Sequence, residues 1–499
     1  MSLGQLKLVQ AALRGDVIPK DSPEAYKVKQ SKEYGASHAV LQLAKARGLD
    51  KAIYSRPSKQ WVGDCLAMIV GRLVYAGSKV SLSNRWKDTA LWELCGVEGK
   101  VDVEAHCYGA MDRLLARQEA IQKTLAGKHL KGGSLVLYDI TSSYFEGEYE
   151  ESQMVTFGYN RDGKRGHEQI VIGLLCSDEG CPVGVEVFAG NTPDGKTVPE
   201  KIQEVQGKYG IKEIVLVGDR GMISRANYEK VKGTEGLRVI TALTHRDVVN
   251  LLRRGVIQMG LFDEKNIAEV VDTENPRTRY CLCRNPMSAG RETETRKDLL
   301  EVARRGLDKI AQAKKRKSNE KIAEQVGRVL GKAGMGKFVE WKVVDGRLEW
   351  SFRQKQIEQE ALLDGCYIIT SDVPPEQMDK QEVVVSYKKL ALAEQAFRNL
   401  KTVQIEIRPV YHKTDDRIRC HVFVCMLAYY LQWHMKQRLK PLFESDGKNK
   451  HREWTFENVM ERLKSIRREV LSVAGIPCRT VSEPEEDQQR ILDLLGAKL

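Results

Sequence analysis

The spacing of apolar residues predicts a helical region over residues 1 to about 130. In VDVEAHCYGAMDRLLARQEAIQKTLAGKHL, apolar side chains share one helical face, with arginine and lysine opposite; they are Met111, Leu114, Ile121 and Leu125. The sequence KGG at 131–133 then breaks the pattern. We therefore predict a helical N-terminal domain that ends near residue 130.

After Ser134 the pattern changes to that of β-strands. Leu135 to Tyr138 form an apolar run, and EQIVIGLLCSDEGCPVGVEVFAGN has two apolar runs around a Gly-Cys-Pro turn, as a hairpin does. Together they predict three successive antiparallel strands. A helix (TVPEKIQEVQGKYG) and a short buried strand (EIVLVGD) are predicted next, and LRVITAL predicts another strand at 237–243.

Residues 245–380 have a different pattern. RYCLCRN and KFVEWKVVDGRLEWSFR predict strands, and Asp345-Gly346 is a strong hairpin signal within the second stretch. A long helical segment lies between them. The helical period returns from Val383, in VVVSYKKLALAEQAFRNLKT and in DDRIRCHVFVCMLAYYLQWHMKQRL, and an amphipathic helix follows a linker, ESDGKNKHRE.

These elements predict an α/β protein whose mixed-sheet core is interrupted by a strand-rich α+β insertion. A chain of 499 residues is expected to form two to four domains. The predicted parts are a helical N-terminal domain, a first core part, the insertion, a second core part and a helical C-terminal region, with boundaries at 1–130, 131–244, 245–380, 381–440 and 441–499.

Composition narrows the class of protein. Apolar residues make up 42% and charged residues 30%, as in soluble globular proteins, and no apolar run reaches the roughly 18 residues of a membrane span. We expect a cytoplasmic protein, because the N-terminus lacks a signal-peptide pattern. The eleven cysteines are scattered, and Cys281 and Cys283 are expected to be buried reduced thiols, not metal ligands. The net charge of +12 favours a polyanionic partner but identifies no fold.

Three carboxylates occupy unusual positions. Asp139 interrupts an apolar strand, Asp219 ends the apolar run IVLVGD, and Glu394 borders or enters the buried stripe of a helix. Each alone has a structural explanation: a strand-end aspartate caps turns, and Arg398 is placed to pair with Glu394. Together they offer three oxygen ligands of the kind that Mg²⁺ prefers. Two such ions about 3.5–4 Å apart promote phosphodiester chemistry.

The order of these features resembles the DDE transposases of bacterial insertion sequences, which have an RNase H-like core. The helix YKKLALAEQAFRNLK matches the Tyr-x2-Arg-x3-Glu-x6-Lys signature of one group at Tyr387, Glu394 and Lys401. Further similar stretches are FGYNRDGKRGHEQIVIGLL, GVEVFAGNTPDGKT, GDRGMIS and IRPVYHKTDDRIRCHVFVCMLAYYL, and the resemblance covers roughly 130–440. It implies a two-metal Mg²⁺ site, for which Mn²⁺ substitutes, with Asp139, Asp219 and Glu394 as catalytic residues and metal ligands.

One position departs from that signature, because Leu390 stands where the group has arginine. The resemblance implies that this arginine holds the DNA backbone together with Tyr387 and Lys401. We hypothesise that Arg398, one turn beyond Glu394, replaces it, since a guanidinium can bind a phosphate with two parallel hydrogen bonds. The alternative is a plain Glu394–Arg398 ion pair.

Further phosphate contacts are predicted from basic segments. The loop GYNRDGKRGH (158–167) offers Arg161, Lys164 and Arg165, and the block from Arg296 to Lys317 ends in Lys314, Lys315, Arg316 and Lys317. A solvated helix face explains that block equally well. The N-terminal domain is expected to bind the element ends. The expected partners are double-stranded DNA, as terminal inverted repeats and target, and further copies of this chain in a synaptic dimer or higher oligomer.

Lesser candidates have structural explanations that stay open. His412 and His421 match the resembled pattern after the glutamate helix, although packed histidines are as plausible. Trp341 and Trp350 lie in the insertion, where some relatives hold an unstacked base, although tryptophans on strands are usually part of the core.

Two other classes of protein compete with this interpretation. An aspartyl-phosphate phosphatase needs a second acid two residues after its nucleophile, and position 141 is threonine. A catalytically inactive, transposase-derived DNA-binding protein is the main alternative, although all three carboxylates are present.

Overall fold

The computed structural model describes residues 26–159, 164, 166–193, 213–223, 228, 234–263, 266–313, 318–401, 405–445, 454–473 and 476–499, with the single residues 6, 10 and 14. Arg161, Arg165, the residues 314–317 and the predicted helix TVPEKIQEVQGKYG lie outside the described residues.

The strands, in chain order, are β1 (Tyr26–Glu33), β2 (Ser134–Tyr144), β3 (Gln169–Ser177), β4 (Pro182–Ala189), β5 (Ile214–Val217), β6 (Leu237–Ala242), β7 (Ala268–Asp272), β8 (Asn275–Arg284), β9 (Val339–Val344), β10 (Arg347–Phe352), β11 (Cys366–Ser371), β12 (Arg467–Val473) and β13 (Ile476–Val481).

The helices are α1 (Gly35–Ala46), α2 (Leu49–Ile53), α3 (Gln60–Val74), α4 (Lys79–Asn84), α5 (Leu91–Leu94), α6 (Gly109–Leu115), α7 (Gln118–His129), α8 (His245–Arg253), α9 (Pro286–Ala311), α10 (Asn319–Ala333), α11 (Gln354–Leu362), α12 (Lys380–Lys388), α13 (Leu390–Lys401), α14 (Asp415–Arg438), α15 (Lys440–Ser445), α16 (Phe456–Lys464) and α17 (Glu486–Leu495).

The chain divides into two compact units. The first comprises residues 1–237 with 389–499, and the second comprises 238–388. The predicted boundary near residue 130 does not separate compact units, because α3 is apolar around most of its circumference and packs against α14. The second unit covers the whole of the predicted insertion, 245–380, and extends beyond it on both sides.

The first unit is built on a mixed sheet, which confirms the predicted α/β class. Its strands lie in the order β4-β3-β2-β5. The successive strands β2, β3 and β4 pair antiparallel with one another, as predicted, whereas β5 is parallel to β2. All nine residues of β3 are buried, so its sequence is a continuous apolar run and does not alternate.

Helix α14 forms the centre of this unit. The stretch HVFVCMLAYYLQ is buried along its whole length, so α14 is apolar on every side. It packs against α3, α6, α13 and β4. Among the described residues, no single helix is long and apolar enough to cross a membrane; the bent pair Gln60–Val74 and Lys79–Lys87 meets that test only when taken together.

The predicted all-helical terminal regions need a correction. β1 pairs with β12, and β12 pairs with β13, in an antiparallel three-stranded sheet. The C-terminal region therefore contains a β-hairpin between α16 and α17. The strand residues RREVLSV and IPCRTV include β-branched valine, isoleucine and threonine, which suit an extended chain.

The second unit contains a sheet and a separate hairpin. β6, β11, β8 and β7 lie side by side in that order, with antiparallel neighbours. The predicted hairpin is confirmed: β9 pairs with β10, and both Asp345 and Gly346 in the turn have positive φ. Helices α9 and α10 pack on this hairpin around a core that includes Leu307, Val326 and Phe338.

Candidate active site

Asp139 lies in the middle of the central strand β2. It faces Leu174 of β3 across an antiparallel pair, and its side chain is half-buried between the buried residues Tyr138 and Ile140. Its Oδ1 accepts a hydrogen bond of 2.8 Å from the backbone N–H of Ile140. The prediction that Asp139 lies within an apolar β-strand is confirmed.

Asp219 reaches the equivalent position on the neighbouring strand. In the parallel pairing of β2 with β5, Leu137 is level with Val217, so Asp139 and Asp219 each lie two residues beyond that pair. Adjacent strands are separated by about 4.8 Å. The carbonyl of Asp219 accepts hydrogen bonds of 3.0 Å from the N–H groups of Met222 and Ile223, which turn the chain away and leave the Asp219 side chain exposed.

Gly218 packs closely against the turn that follows it. A Cβ atom at Gly218 would lie 2.7 Å from Cδ1 of Ile223, closer than packed carbon atoms approach. The sequence V-G-D therefore allows Ile223 to pack beneath the strand end while Asp219 stays accessible.

Glu394 lies on α13, which packs against β2 and β3. The buried face of α13 consists of Leu390, Ala393, Ala396, Phe397 and Leu400, whereas Glu394 is exposed. Glu394 thus borders the buried stripe and does not enter it. An exposed carboxylate on a helix that crosses the central strand is available to a metal ion or to DNA.

The three carboxylates lie on connected elements of one unit, but their oxygen atoms are not all close together. Among the described residues, the group His129, Cys181 and His434 brings three potential ligand atoms within 4.8 Å of one another, and the three carboxylates do not. A pair of magnesium ions 3.5–4 Å apart, each about 2.1 Å from its ligands, allows ligand atoms on opposite sides to be roughly 8 Å apart. The donor set is made of oxygen atoms alone, which is the set that Mg²⁺ prefers.

The helix predicted from Val383 onward is divided at Lys389. Tyr387 belongs to α12 in the second unit, whereas Leu390, Glu394 and Lys401 belong to α13 in the first. The prediction that all signature positions share the face of one helix therefore applies only from Leu390 onward. The backbone turns at Lys389, whose carbonyl accepts a 2.8 Å hydrogen bond from the Leu392 N–H.

Leu390 and Arg398 differ in exposure. Leu390 is 5% exposed and contributes to the apolar face of α13, which explains physically why this position holds an apolar residue. Arg398 is exposed on the same helix as Glu394, and Lys401 is half-buried at its end.

A cationic cluster lies at the far end of β2, around the ring of Tyr144. The Cζ atom of Arg408 lies 4.3 Å from the ring centre and Nζ of Lys164 lies 5.6 Å from it, while the His167 ring is 5.5 Å away. Lys164 is among the phosphate contacts predicted from the sequence, whereas Arg408 and Tyr144 are not. Five residues of strand, about 17 Å, separate Asp139 from Tyr144.

Gln169 anchors the segment that leads into the basic loop. Its buried side-chain amide donates hydrogen bonds to the carbonyls of Tyr159 (3.0 Å) and Gly190 (2.8 Å). A Cβ atom at Gly190 would lie 2.0 Å from the Gln169 carbonyl oxygen, so only glycine allows this close approach. No local sequence pattern signals this contact, because its acceptors are backbone atoms 10 and 21 residues away.

The arginines in the described part of the basic block are paired with carboxylates. Arg296 binds Asp364 with both terminal nitrogens, and Arg304 and Arg305 both pair with Glu301 on α9. These contacts favour the solvated-helix explanation for residues 296–313. They leave the prediction for residues 314–317 untouched.

His412 and His421 pack in the interior of the first unit. His421 is 3% exposed, and its Nε2 lies 3.0 Å from the Ile407 carbonyl oxygen. Burial, followed by the nearby charges of Lys79 and Arg417, lowers the pKa of His412 to about 3. Burial and Lys79 also hold the pKa of His421 well below its usual value. This packing favours the structural explanation over a role in DNA contact.

Trp341 and Trp350 form a cross-strand pair on the β9–β10 hairpin. Trp350 packs against the hydrophobic core of α9 and α10, whereas Trp341 is 37% exposed. Cys281 and Cys283 are buried free thiols on β8, as predicted.

The family model described as Transposase DDE domain matches residues 131–431, which is more than half of the chain. No curated protein sequence matches. Among solved structures, the chain is similar to a cryo-EM structure of the piggyBac transposase synaptic complex with hairpin DNA, with 7% identity and a TM-score of 0.37, over 81% of this chain and 70% of that chain. That likeness is too slight to bear on fold or function.

Proposed function

This chain belongs to the DDE transposase family, and we propose that it cleaves DNA strands at the ends of a mobile element and joins them to target DNA. The observation that carries the proposal is the family match over 131–431, a range that contains Asp139, Asp219 and Glu394. The equivalent positions of Asp139 and Asp219 on paired parallel strands support it.

In this proposal the three carboxylates hold Mg²⁺. Asp139 and Asp219 approach from adjacent strands of a rigid sheet, and Glu394 approaches from a helix packed on that sheet. When bound, the metal activates the attacking oxygen and stabilises the leaving one. No base on the protein is then required for the hydroxyl or water that attacks the phosphodiester.

The cationic side chains position the DNA. Arg398 lies one helical turn beyond Glu394, where a guanidinium would orient a phosphate over the carboxylates, and Lys401 follows on the same helix. Arg408 and Lys164, gathered at Tyr144, are placed to contact the backbone further along the duplex. Tyr387 and the basic residues of the loop and block, Arg161, Arg165 and Lys314 to Lys317, complete the proposed contacts.

The test is to neutralise each carboxylate. Asp139→Asn, Asp219→Asn and Glu394→Gln should each reduce cleavage of DNA carrying the element ends by at least about a thousandfold in Mg²⁺, because each removes a charged ligand. Folding and DNA affinity should be retained, and the melting temperature should stay level or rise as repulsion is relieved.

Glu213→Gln is the matched control. Glu213 is an exposed carboxylate just before β5, at the opposite end of that strand from Asp219, so its neutralisation should leave cleavage unchanged. Robust cleavage by any one of the three variants would remove that residue from the site. DNA binding without cleavage by the unmodified protein would instead favour the inactive DNA-binding alternative.

A further inference from the structure

A second cluster of potential metal ligands lies in the first unit, on elements that the proposed chemistry does not use. His129 is the last residue of α7, Cys181 lies in the turn between β3 and β4, and His434 lies on α14. One ligand atom from each lies within 4.8 Å of the other two. Three elements that are distant in sequence therefore meet at one nitrogen–nitrogen–sulfur cluster.

The cluster is buried, and one of its nitrogen atoms lacks a partner. Cys181 is fully buried and His434 is 4% exposed. Within the described part of the chain, Nε2 of His434 is buried and makes no hydrogen bond. A buried polar atom without a hydrogen bond destabilises the folded state, so such an atom usually has a ligand or a partner.

The surroundings fix the orientation of the rings. Nε2 of His129 lies 3.1 Å from the hydroxyl of Tyr430, and the two imidazole rings are 5.4 Å apart between centres. Trp433 packs edge-on against His434 at 4.9 Å. His129 is only half-buried, which gives the cluster a path to solvent.

The donor types select the metal. Thiolate and imidazole favour zinc and similar transition metals, whereas Mg²⁺ prefers oxygen. With Zn–S near 2.3 Å and Zn–N near 2.0–2.1 Å, tetrahedral ligand atoms lie about 3.3–3.6 Å apart. The ligand atoms now lie within 4.8 Å of one another. Each side chain would have to move by about 1 Å or less to bring these atoms to the distances that zinc requires.

Nearby positive charge opposes a cation here. Arg47 and Lys128 lie close enough to contribute, after burial, to the lowered pKa of His129. Loss of the Cys181 proton on binding would place a negative thiolate directly against the ion and offset this repulsion. A neutral third ligand would not offset the repulsion from Arg47 and Lys128.

We propose that His129, Cys181 and His434 form a zinc site that ties α7 and the β3–β4 turn to the central helix α14, with water as the fourth ligand. This site is separate from the three carboxylates and does not depend on the proposed function. Its role is structural, because it joins the helix that precedes β2 to the sheet edge and to the core.

The experiment uses the full chain, reduced and freed of metal with a chelator. Titration with Zn²⁺ against a chromophoric competitor should show one equivalent bound and a rise in melting temperature. Titration with Co²⁺ should produce visible absorption typical of tetrahedral coordination and a thiolate-to-cobalt band in the near ultraviolet. Cys181→Ser should abolish that band and weaken Zn²⁺ binding by more than about tenfold.

Matched variants separate this site from other effects. Cys176→Ser changes a buried cysteine on β3 outside the cluster and should bind Zn²⁺ normally. Asp139→Asn and Asp219→Asn should also leave this equivalent intact, which distinguishes it from the carboxylate site. His129→Gln changes the most exposed of the three ligands, so this variant should fold and lose Zn²⁺ binding. It therefore tests the site even where His434→Gln, a change at a buried position, prevents folding. An unchanged Co²⁺ spectrum in Cys181→Ser, or no tight equivalent in the unmodified protein, would overturn the proposal.

Discussion

At the scale of the residue, the side chains of the proposed active site differ from the neighbouring core residues in their exposure to solvent. Asp219, Glu394 and Arg398 are exposed, whereas Leu390, which replaces the arginine of the resembled signature, is packed in the core. The sequence predicted the positions of Asp139 and Asp219, because an acid within or after an apolar strand is a local signal. It did not predict that Leu390 is buried, since that depends on the sheet beneath α13.

Arg398 is predicted to bind phosphate near the carboxylates. Arg398→Lys should lower strand transfer by roughly tenfold, and Arg398→Ala by more, because lysine cannot form the two parallel hydrogen bonds of a guanidinium. Strand-transfer rates at saturating DNA, with melting temperatures alongside, measure this. Gln395→Ala, an exposed neighbour on α13, is the control.

Because Leu390 is buried, an arginine introduced at position 390 is not expected to compensate for the loss of Arg398. Leu390→Arg would place a guanidinium in an apolar environment, at a cost of several kcal/mol, and should lower the melting temperature without restoring activity to Arg398→Ala. Normal strand transfer and normal DNA affinity in Arg398→Ala would contradict the phosphate role.

At the scale of the element, α13 and the strands β2 and β5 were predictable from periodicity, whereas the pairing of the two strands was not. The strands β12 and β13 were missed because their sequences mix charged and apolar residues, and β12 is completed by β1, more than 400 residues earlier. The division between α12 and α13 has no proline or glycine to signal it. Such features depend on tertiary pairing and not on local pattern.

Gln169 is predicted to control the order of the basic loop. Gln169→Leu keeps the side-chain size but removes the hydrogen bonds to Tyr159 and Gly190, at a cost of about 1–3 kcal/mol. DNA affinity, measured by fluorescence anisotropy, should fall severalfold as the segment loosens.

The matched control is Gln122→Leu. Gln122 is also a buried amide, and its Oε1 accepts a 2.6 Å hydrogen bond from the Val185 N–H, on the strand β4 away from the loop. A similar loss of stability is expected there, with DNA affinity unchanged. Equal loss of affinity in both variants would show that stability, not loop order, is responsible.

At the scale of the whole molecule, positive charge is unevenly distributed. Of the net +12, some cations are buried, such as Arg72 and Lys79 beside His421, and others are paired on α9. The total charge therefore overstates the surface available to DNA. The buried cations also lie close to His412 and His421, and their positive charge opposes protonation of both imidazole rings.

Because of those two histidines, the free energy of unfolding is predicted to decrease as the pH is lowered. The pKa of His412 is lowered to about 3 and that of His421 well below its usual value, so the folded state does not take up the protons that both residues bind near pH 6.5 when unfolded. Stability should thus decrease as pH falls from about 6.5 toward 3. At pH 5.5 the loss from His412 is about 1.4 kcal/mol, and His421 adds to it in the same direction.

Urea unfolding at pH 7.5 and 5.5 measures this loss. His412→Gln should flatten the pH dependence by about one histidine's share. A pH dependence that is identical in His412→Gln and the unmodified protein would contradict the assignment.

Charge reversal separates the two explanations of the basic block. The logarithm of DNA affinity falls with the logarithm of salt concentration by about 0.9 per neutralised phosphate. Changing Lys314, Lys315, Arg316 and Lys317 to glutamate should reduce that slope by several units, whereas reversing the paired Arg304 and Arg305 should change it less. If the slope is the same in both variants, the block is a solvated helix face.

The sheet that joins β1 to β12 and β13 has a consequence for how the protein is made. β1 leaves the ribosome before its partner strand has been translated, and the 434 residues from Glu33 to Arg467 take about 20–90 s to synthesise at typical rates. Throughout that interval β1 presents an unpaired edge in a nascent chain. Its sequence, YKVKQSKE, carries three lysines and a glutamate, and charge of this kind discourages pairing with other chains. The polar character of β1 thus protects a strand whose neighbour is translated more than 400 residues later.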